Sequence, residues 1–395
     1  MSALLPVADA QARLLALAAP LPAETLPLDE ATGRYLATDC LAMRGQPAAD
    51  LSAMDGYAIA FADMPGPWRV TGESAPGTLP DRAIKRGEAM RIFTGAALPE
   101  GSDTILIQEE ATRDKDTLVL TGEGPRRHGQ HVRVADGDFA EGQRLVTRGA
   151  LLTAARIGLA AMGGHGRLSV GRRPRVALIS TGDELVPPGD PVSGVQLPAS
   201  NAIMLRGMLE PNGAIVDDRG IVRDDFDALA VAFEAARGAD IIVTSGGASV
   251  GDHDLVRPVL DAIGGTLDFW KIAMKPGKPL LAGKLGDAVV LGLPGNPVST
   301  FVTGTLFLLP LVRALQGAAD PLPTAHRVRL GVPLPACGGR AEYLRGLWTN
   351  GEVIQAPEQD SAAMVSLASA NALIVRAAGA PAAEADEMAE IVAIA

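Results

Sequence analysis

Aromatic residues are scarce: Phe, Trp and Tyr make up 4% of the 395 residues. With Ala, Gly and Pro in their place, the composition points to tight turns and small-residue packing and excludes disorder. An excess of positive charge is also lacking. The formal net charge of −11 excludes a general nucleic-acid or membrane-surface binder, because covering phosphates needs a basic face. It leaves room for a local basic pocket. Only two cysteines occur, Cys40 and Cys337. They lie far apart without metal-type spacing and read as reduced thiols of a cytoplasmic protein. His128, His131, His165, His253 and His326 are scattered, and no carboxylate or cysteine spacing around them completes a zinc site. The N-terminal stretch has no basic leader, and Asp9 and Arg13 interrupt it, so no signal peptide is expected. The most apolar run, Phe301–Val312, is too short to span a bilayer and contains Pro310. It reads as a buried helix, and no membrane span is expected. A Gly-x-Ser-x-Gly elbow, a P-loop and a Gly-x-Gly-x-x-Gly fingerprint are all missing, which removes three common routes to a function.

What is present divides the chain into several units, as its length requires. Residues 1–44 look mainly helical, with apolar residues at helical spacing from Val7 to Leu17. From Pro47 to about Asp138, short β-type runs alternate with Gly, Pro and Asp. Thr153 is placed to cap a helix over Ala154–Met162. From Arg173 the pattern becomes strand–loop–helix. Apolar strands are expected at Val176–Ser180, Asp240–Thr244 and Ala288–Leu291, with an extended segment at Ile215–Gly220. Helices are expected at Ile203–Leu209, Phe226–Ala236 and Leu255–Ile263, and Asn296-Pro297 opens a long apolar one. Beyond Pro321 only short strands appear. The expected fold is multidomain α/β plus β. A central three-layer α/β domain with a mostly parallel sheet spans 173–318. A β-rich lobe at 47–138 is inserted into a helical linker unit, 1–46 with 139–172. A small β-barrel-like domain closes the chain at 319–395.

In a parallel sheet, ligands sit beyond the carboxyl ends of the strands. Three expected strands end there in polar, Gly-rich loops: Ser180–Leu185, Thr244–Asp254 and Gly292–Pro297. Glycines let backbone N–H groups approach a ligand, and small hydroxyls and helix N-termini favour anions. One Gly-Gly turn is usually only a turn; three on one sheet edge point to an anionic, nucleotide-like ligand. Beside them, Lys271, Lys275 and Lys278 fall within eight residues stiffened by Pro276, Gly277 and Pro279. A solvated turn is the plain reading, and an oxyanion clamp the functional one. Glu184, Asp224 and Asp254 fall on the same side and could hold Mg²⁺, position a hydroxyl or orient a lysine. Asp224 or Asp225 could equally be a helix cap. In the lobe, Asp55 precedes a strand in an Asp-Gly turn, Thr94 ends one in Thr-Gly, and Arg133 lies near Asp138.

Together these segments resemble the molybdopterin molybdenumtransferase family, molybdenum insertases that include the C-terminal part of gephyrin. The matching stretches are SAMDGYA at 52–58, FTGAALP at 93–99, STGDEL at 180–185, SGGASVGDHD at 245–254, KIAMKPGKP at 271–279 and GLPGNPVS at 292–299. GRAEYLRG at 339–346 adds to them. They follow in order over nearly the whole chain. The resemblance implies that molybdenum from molybdate enters an adenylated pterin dithiolene while the adenylate is hydrolysed and AMP leaves, with Mg²⁺ in support. It places Asp55, Glu184, Asp224, Asp254, Lys271 and Lys275 in catalysis. Thr94, Arg133, Asp138, Ser245, Gly246, Gly247, Ser249, Lys278, Pro294, Gly295, Asn296, Pro297 and Ser366 would bind substrate, and Glu184 and Asp224 would hold the metal. It implies a homodimer in which the lobe of one subunit faces the α/β domain of the other. Molybdopterin adenylyltransferase would act upstream, and molybdoenzymes or their chaperones downstream. One departure stands out: Asp136-Gly137-Asp138 replaces the family's usual Gly-Glu-Asp. Two other readings stay open, an adenylyltransferase-like nucleotide enzyme and a non-catalytic scaffold of gephyrin type.

Overall fold

The strands that carry the three loops lie side by side. In the computed structural model, which describes residues 4–247 and 255–394, the central sheet has six strands. Their order is Ile215–Val222, Arg175–Thr181, Ile241–Ser245, Ala288–Leu293, Leu281–Leu285 and Thr266–Trp270. The first four are parallel, and Leu281–Leu285 runs antiparallel to both its neighbours. Ser180 pairs with Ser245, and Ser245 with Leu293, so three strands end level and their loops open on one edge.

Successive residues of a strand point to opposite faces, and the two faces are separate cores. Val176, Leu178, Val243 and Leu291 pack with the helices Asn201–Leu209 and Pro297–Leu315. Ala177, Ile179, Ile242 and Val290 pack with Phe226–Ala235 and Val256–Ala262. This is the expected three-layer arrangement. The edge strand Ile215–Val222 departs from the fully apolar pattern, because Asp217, Asp218 and Arg219 face solvent. The hairpin Thr266–Trp270 with Leu281–Leu285 adds two strands that the sequence pattern left unassigned.

The apolar run Phe301–Val312 belongs to a longer helix, Pro297–Leu315, of 19 residues and mean hydropathy 1.6. Length and composition would let it cross a membrane, but 78% of its apolar window is buried inside the protein, as a core helix requires. Its middle, Gly304–Leu308, is a wide π turn. Pro310 lacks an N–H and its ring crowds the carbonyl four residues back, and the wide turn relieves that crowding.

The N-terminal segment is less helical than its spacing suggests. Val7–Ala16 is a helix, but Val7, Ala10 and Leu14 pack into the central core, and Arg13 Nε pairs with Asp268 at 2.8 Å. Pro20 and Pro22 then stop helical propagation. Ala23–Pro27 is a strand antiparallel to Arg167–Gly171, and Cys40–Leu41 pairs with Arg144–Val146. These segments enclose a small core of Leu36, Leu152, Ala160 and Val170. The Thr153 hydroxyl accepts the Arg156 N–H at 3.4 Å and caps Ala154–Met162.

The lobe is a six-stranded mixed sheet ordered Thr104–Ile107, Gly56–Ile59, Glu88–Ile92, Trp68–Ser74, Thr117–Leu120 and Ala111–Asp114. In the C-terminal domain, Ala341–Thr349, Glu352–Gln355, Ala325–Leu330, Met388–Ala393 and Ala372–Arg376 close into a five-stranded barrel, because the first also pairs with the last. Met274–Lys275 joins the barrel edge by pairing with Ala341 and Glu342, which ties the lysine segment to both domains.

Candidate active site

Close backbone packing builds the site. Gly246 has φ +105°, and a Cβ there would lie 2.2 Å from the Thr181 carbonyl oxygen. Only glycine lets the first two strand ends approach so closely. Beyond them opens a cavity of 230 Å³ lined by Thr181, Gly182, Glu184, Asn201, Asp224, Ser245, Gly246, Gly247, Pro279, Pro294 and Gly295. A recess of 220 Å³ adjoins it, sharing Glu184, Asn201, Ser245 and Gly295 and reaching Pro297. The described parts of all three loops thus meet at one site. A larger hollow of 890 Å³ lies among Tyr35, Met208, Phe301, Arg313 and His326. It contains none of these loops, so size alone is a poor guide to the chemistry here.

The capping question at Asp224 resolves clearly. Asp225 caps the helix Phe226–Ala235, its Oδ1 accepting the Ala228 N–H at 2.9 Å. Asp224 instead accepts the Thr181 hydroxyl and lines the cavity. Glu184 is exposed, and its carboxylate sits against Gly182. Asn296 occupies the cap position before Pro297, but its side chain does not cap. Its Oδ1 is buried without a partner, and the Thr300 hydroxyl holds the turn by donating to the Pro294 and Asn296 carbonyls. Ser249 and Asp254 lie outside the described residues.

The lysines flank this cavity and do not line it; Pro279 is the part of their segment that reaches the wall. Lys271 adopts φ +69°, a conformation that is costly for a side-chain-bearing residue and typical of functional positions. Its Nζ lies 4.0 Å from the centre of the Trp270 ring. Lys275 Nζ is 3.6 Å from Glu342 Oε1 of the barrel. Lys278 is exposed, and its carbonyl accepts the Ile272 N–H at 3.0 Å.

In the lobe, Asp55 and Thr94 form a unit. Asp55 Oδ1 accepts the Thr94 backbone N–H at 2.7 Å and its hydroxyl at 2.8 Å. These bonds, the backbone one first, hold the Asp55 carboxyl below its ordinary value. Arg133 pairs across from Leu51, beside the turn that carries Asp55. The Asp138 N–H donates to the Gln46 carbonyl at 2.9 Å, and Asp136 turns the chain before it at φ +59°, a conformation Asp tolerates. Ser366 lies on the helix Met364–Ser369, its hydroxyl donating to the Glu358 carbonyl at 2.7 Å, while Leu367 of that helix packs into the central core.

Thr181 and Pro279 line the cavity from within the STGDEL and KIAMKPGKP segments without having been assigned a site role, and Asn201 lines it from outside every motif. Asn201 opens an apolar helix after Ser200, a helix-start signal that could have drawn attention to it. Among the described residues, no group of three or more His, Cys, Asp or Glu side chains is arranged to hold a metal.

Residues 5–164 match the family model described as MoeA N-terminal region (domain I and II), 177–314 the probable molybdopterin binding domain, and 327–394 the MoeA C-terminal region (domain IV). A curated relative from Haemophilus influenzae, named molybdopterin molybdenumtransferase, is 36% identical over 335 residues, covering 83% of this chain and 82% of its own. The chain belongs to the molybdopterin molybdenumtransferase family. Molybdopterin molybdenumtransferase 2 of Mycobacterium tuberculosis is 34% identical over 365 residues, covering 89% of this chain and 90% of its own. The solved molybdopterin biosynthesis moeA protein of Pyrococcus horikoshii OT3 superposes with a TM-score of 0.86 at 25% identity, over 99% of this chain and 100% of that one. The Asp55–Thr94 unit falls within the first family match, the strand-end loops and lysines within the second, and Ser366 within the third.

Proposed function

We propose that this chain is a transferase of molybdenum cofactor biosynthesis that inserts molybdenum from molybdate into adenylated molybdopterin, hydrolysing the adenylate and releasing AMP. One observation carries the reading: three level strand ends bring Thr181, Glu184, Asp224, Ser245–Gly247 and Pro294-Gly295 around one cavity. Small residues there let a phosphate and a heterocycle approach the backbone, as anion sites at strand ends do. Lys271, Lys275 and Lys278 supply positive charge beside it for two anionic substrates. Lys275 is held near Glu342, which orients the amine.

Glu184 and Asp224 offer the hard oxygen donors that Mg²⁺ prefers. Mg²⁺ commonly uses one or two carboxylates together with substrate phosphates, so a dedicated three-carboxylate cage is unnecessary. Bound there, it would neutralise charge on the phosphate. Thr181 orients Asp224 through its hydroxyl. By the family resemblance, Asp254 would orient the nucleotide. A second copy of the chain would complete the site by presenting Asp55, Thr94, Arg133 and Asp138 from its lobe, so the active form is a homodimer. A molybdopterin adenylyltransferase supplies the substrate, and molybdoenzymes or their chaperones receive the product, in the cytoplasm.

The test supplies adenylated pterin and molybdate without ATP and follows AMP. AMP release is expected. No AMP release under those conditions, with pyrophosphate formed only when ATP and free pterin are given, would make the chain an adenylyltransferase, and no turnover by a folded chain would make it a scaffold.

A further inference from the structure

Asn201 is the first residue of the helix Asn201–Leu209, and it lines both the main cavity and the adjoining recess. Its two amide ends are treated differently. Nδ2 donates to the Gly295 carbonyl at 2.8 Å, which ties the helix start to the Gly292–Pro297 loop. Oδ1 is buried and accepts nothing. The Gly295 contact fixes the amide orientation, because a flip would set Oδ1 against a carbonyl oxygen. A buried acceptor without a donor is costly and rare. Here the residue lines a ligand cavity, and a small turn of the side chain on binding would bring Oδ1 to a donor that arrives with the ligand. The other polar side chains on this wall are hydroxyls and carboxylates, set among glycines, prolines and Leu185, and they suit the phosphate end of a substrate; among the described lining residues Asn201 alone offers a side-chain amide.

We propose that Asn201 Oδ1 accepts a hydrogen bond from an N–H group of the substrate's heterocycle, and that Asn201 thereby sets recognition of the ring. This rests on the adenylated-pterin reading above. Both rings of that substrate carry amino or ring N–H donors, and the experiment separates them. An acceptor of this kind discriminates between rings, because a ring lacking the donor leaves Oδ1 unpaired while a ring with a carbonyl there adds repulsion. Gly295, fixed by the other end of the same amide, then shares the position of the ring.

The test is a double-mutant cycle between ligand and side chain. Affinities of AMP and of the 6-deamino purine nucleotide are measured by calorimetry for the wild-type chain and for Asn201→Ala. A parallel arm uses molybdopterin and an analogue without its 2-amino group. Thermal unfolding and circular dichroism confirm that the variant folds, and Asn201→Ser provides a second variant that keeps a polar contact at the helix start. In one arm, deletion of the amino group should weaken wild-type binding by about three- to tenfold and leave both variants nearly unaffected. The arm that shows this coupling identifies the ring. Equal losses in the wild type and variants, in both arms, would overturn the assignment of Asn201 while leaving the proposed function standing. Failure of the wild-type chain to bind either ligand would overturn both.

Discussion

Asp55 and Thr94 lie 39 positions apart, yet they form one hydrogen-bonded turn. Because the carboxyl is held below its ordinary 3.8, the bonded form persists above that value and is lost only as the pH falls through the lowered one. Thr94→Val keeps the backbone donor and removes the hydroxyl. Titration of the Asp55 carboxyl by NMR should therefore show it moving part of the way back towards 3.8; an unchanged titration would show that the hydroxyl bond contributes nothing. Tyr343 gives the opposite sign. Burial raises its phenol from 10.0 to about 12. Below 10.0 its contribution is intact, and between 10.0 and about 12 the unfolded chain ionises while the folded one does not, so stability falls across that window. Tyr343→Phe should flatten this alkaline decline in denaturant titrations. An equally steep decline in the variant would assign it to other groups.

At the scale of elements, adjacent acids do different work. Asp225→Ala removes a cap and should cost about 1 kcal/mol of stability while turnover is retained. Asp224→Ala leaves that cap in place and should abolish AMP release. Paired denaturation and turnover measurements decide between this and a shared capping role. Gly246→Ala would force a methyl against the Thr181 carbonyl and should cost about 2 kcal/mol or more as the two strand ends separate. Stability equal to the wild type would mean that the strand ends yield without cost. The parallel strands and their loops were legible in the sequence because apolar runs ended in clusters of Gly, Ser and Thr. The hairpin Thr266–Trp270 with Leu281–Leu285 was not, since Asp268, Gly283 and Lys284 break its apolar pattern. Ala23–Pro27 was obscured by its flanking prolines, which argue against a strand until a partner is known. Asn201 carried no motif; its importance lies in an unpaired atom, which only packing reveals.

For the whole molecule, the Asp55–Thr94 turn belongs to a sheet separate from the one that carries the cavity. Neither Asp55 nor Thr94 lines that cavity within one chain. Under the proposed function, sharing between copies would account for this division. Heterodimers assembled from Asp55→Ala and Lys275→Ala chains contain one site with both residues intact and one with neither. They should recover roughly half of wild-type turnover, although each parent homodimer is inactive. No recovery in purified heterodimers would place both residues in a site built by one chain. The lysine segment, paired with the barrel edge at Ala341 and Glu342, further couples the C-terminal domain to that site.

The proposed function makes adenylate hydrolysis and molybdenum insertion one coupled reaction on this chain. The most direct measurement is a single-turnover reaction of the purified protein with adenylated pterin and molybdate, without ATP, quantifying AMP and dithiolene-bound molybdenum together. Equimolar appearance of the two is predicted, with neither formed by Asp224→Ala. AMP release with no molybdenum bound to the pterin would show that hydrolysis and insertion are not coupled on this chain.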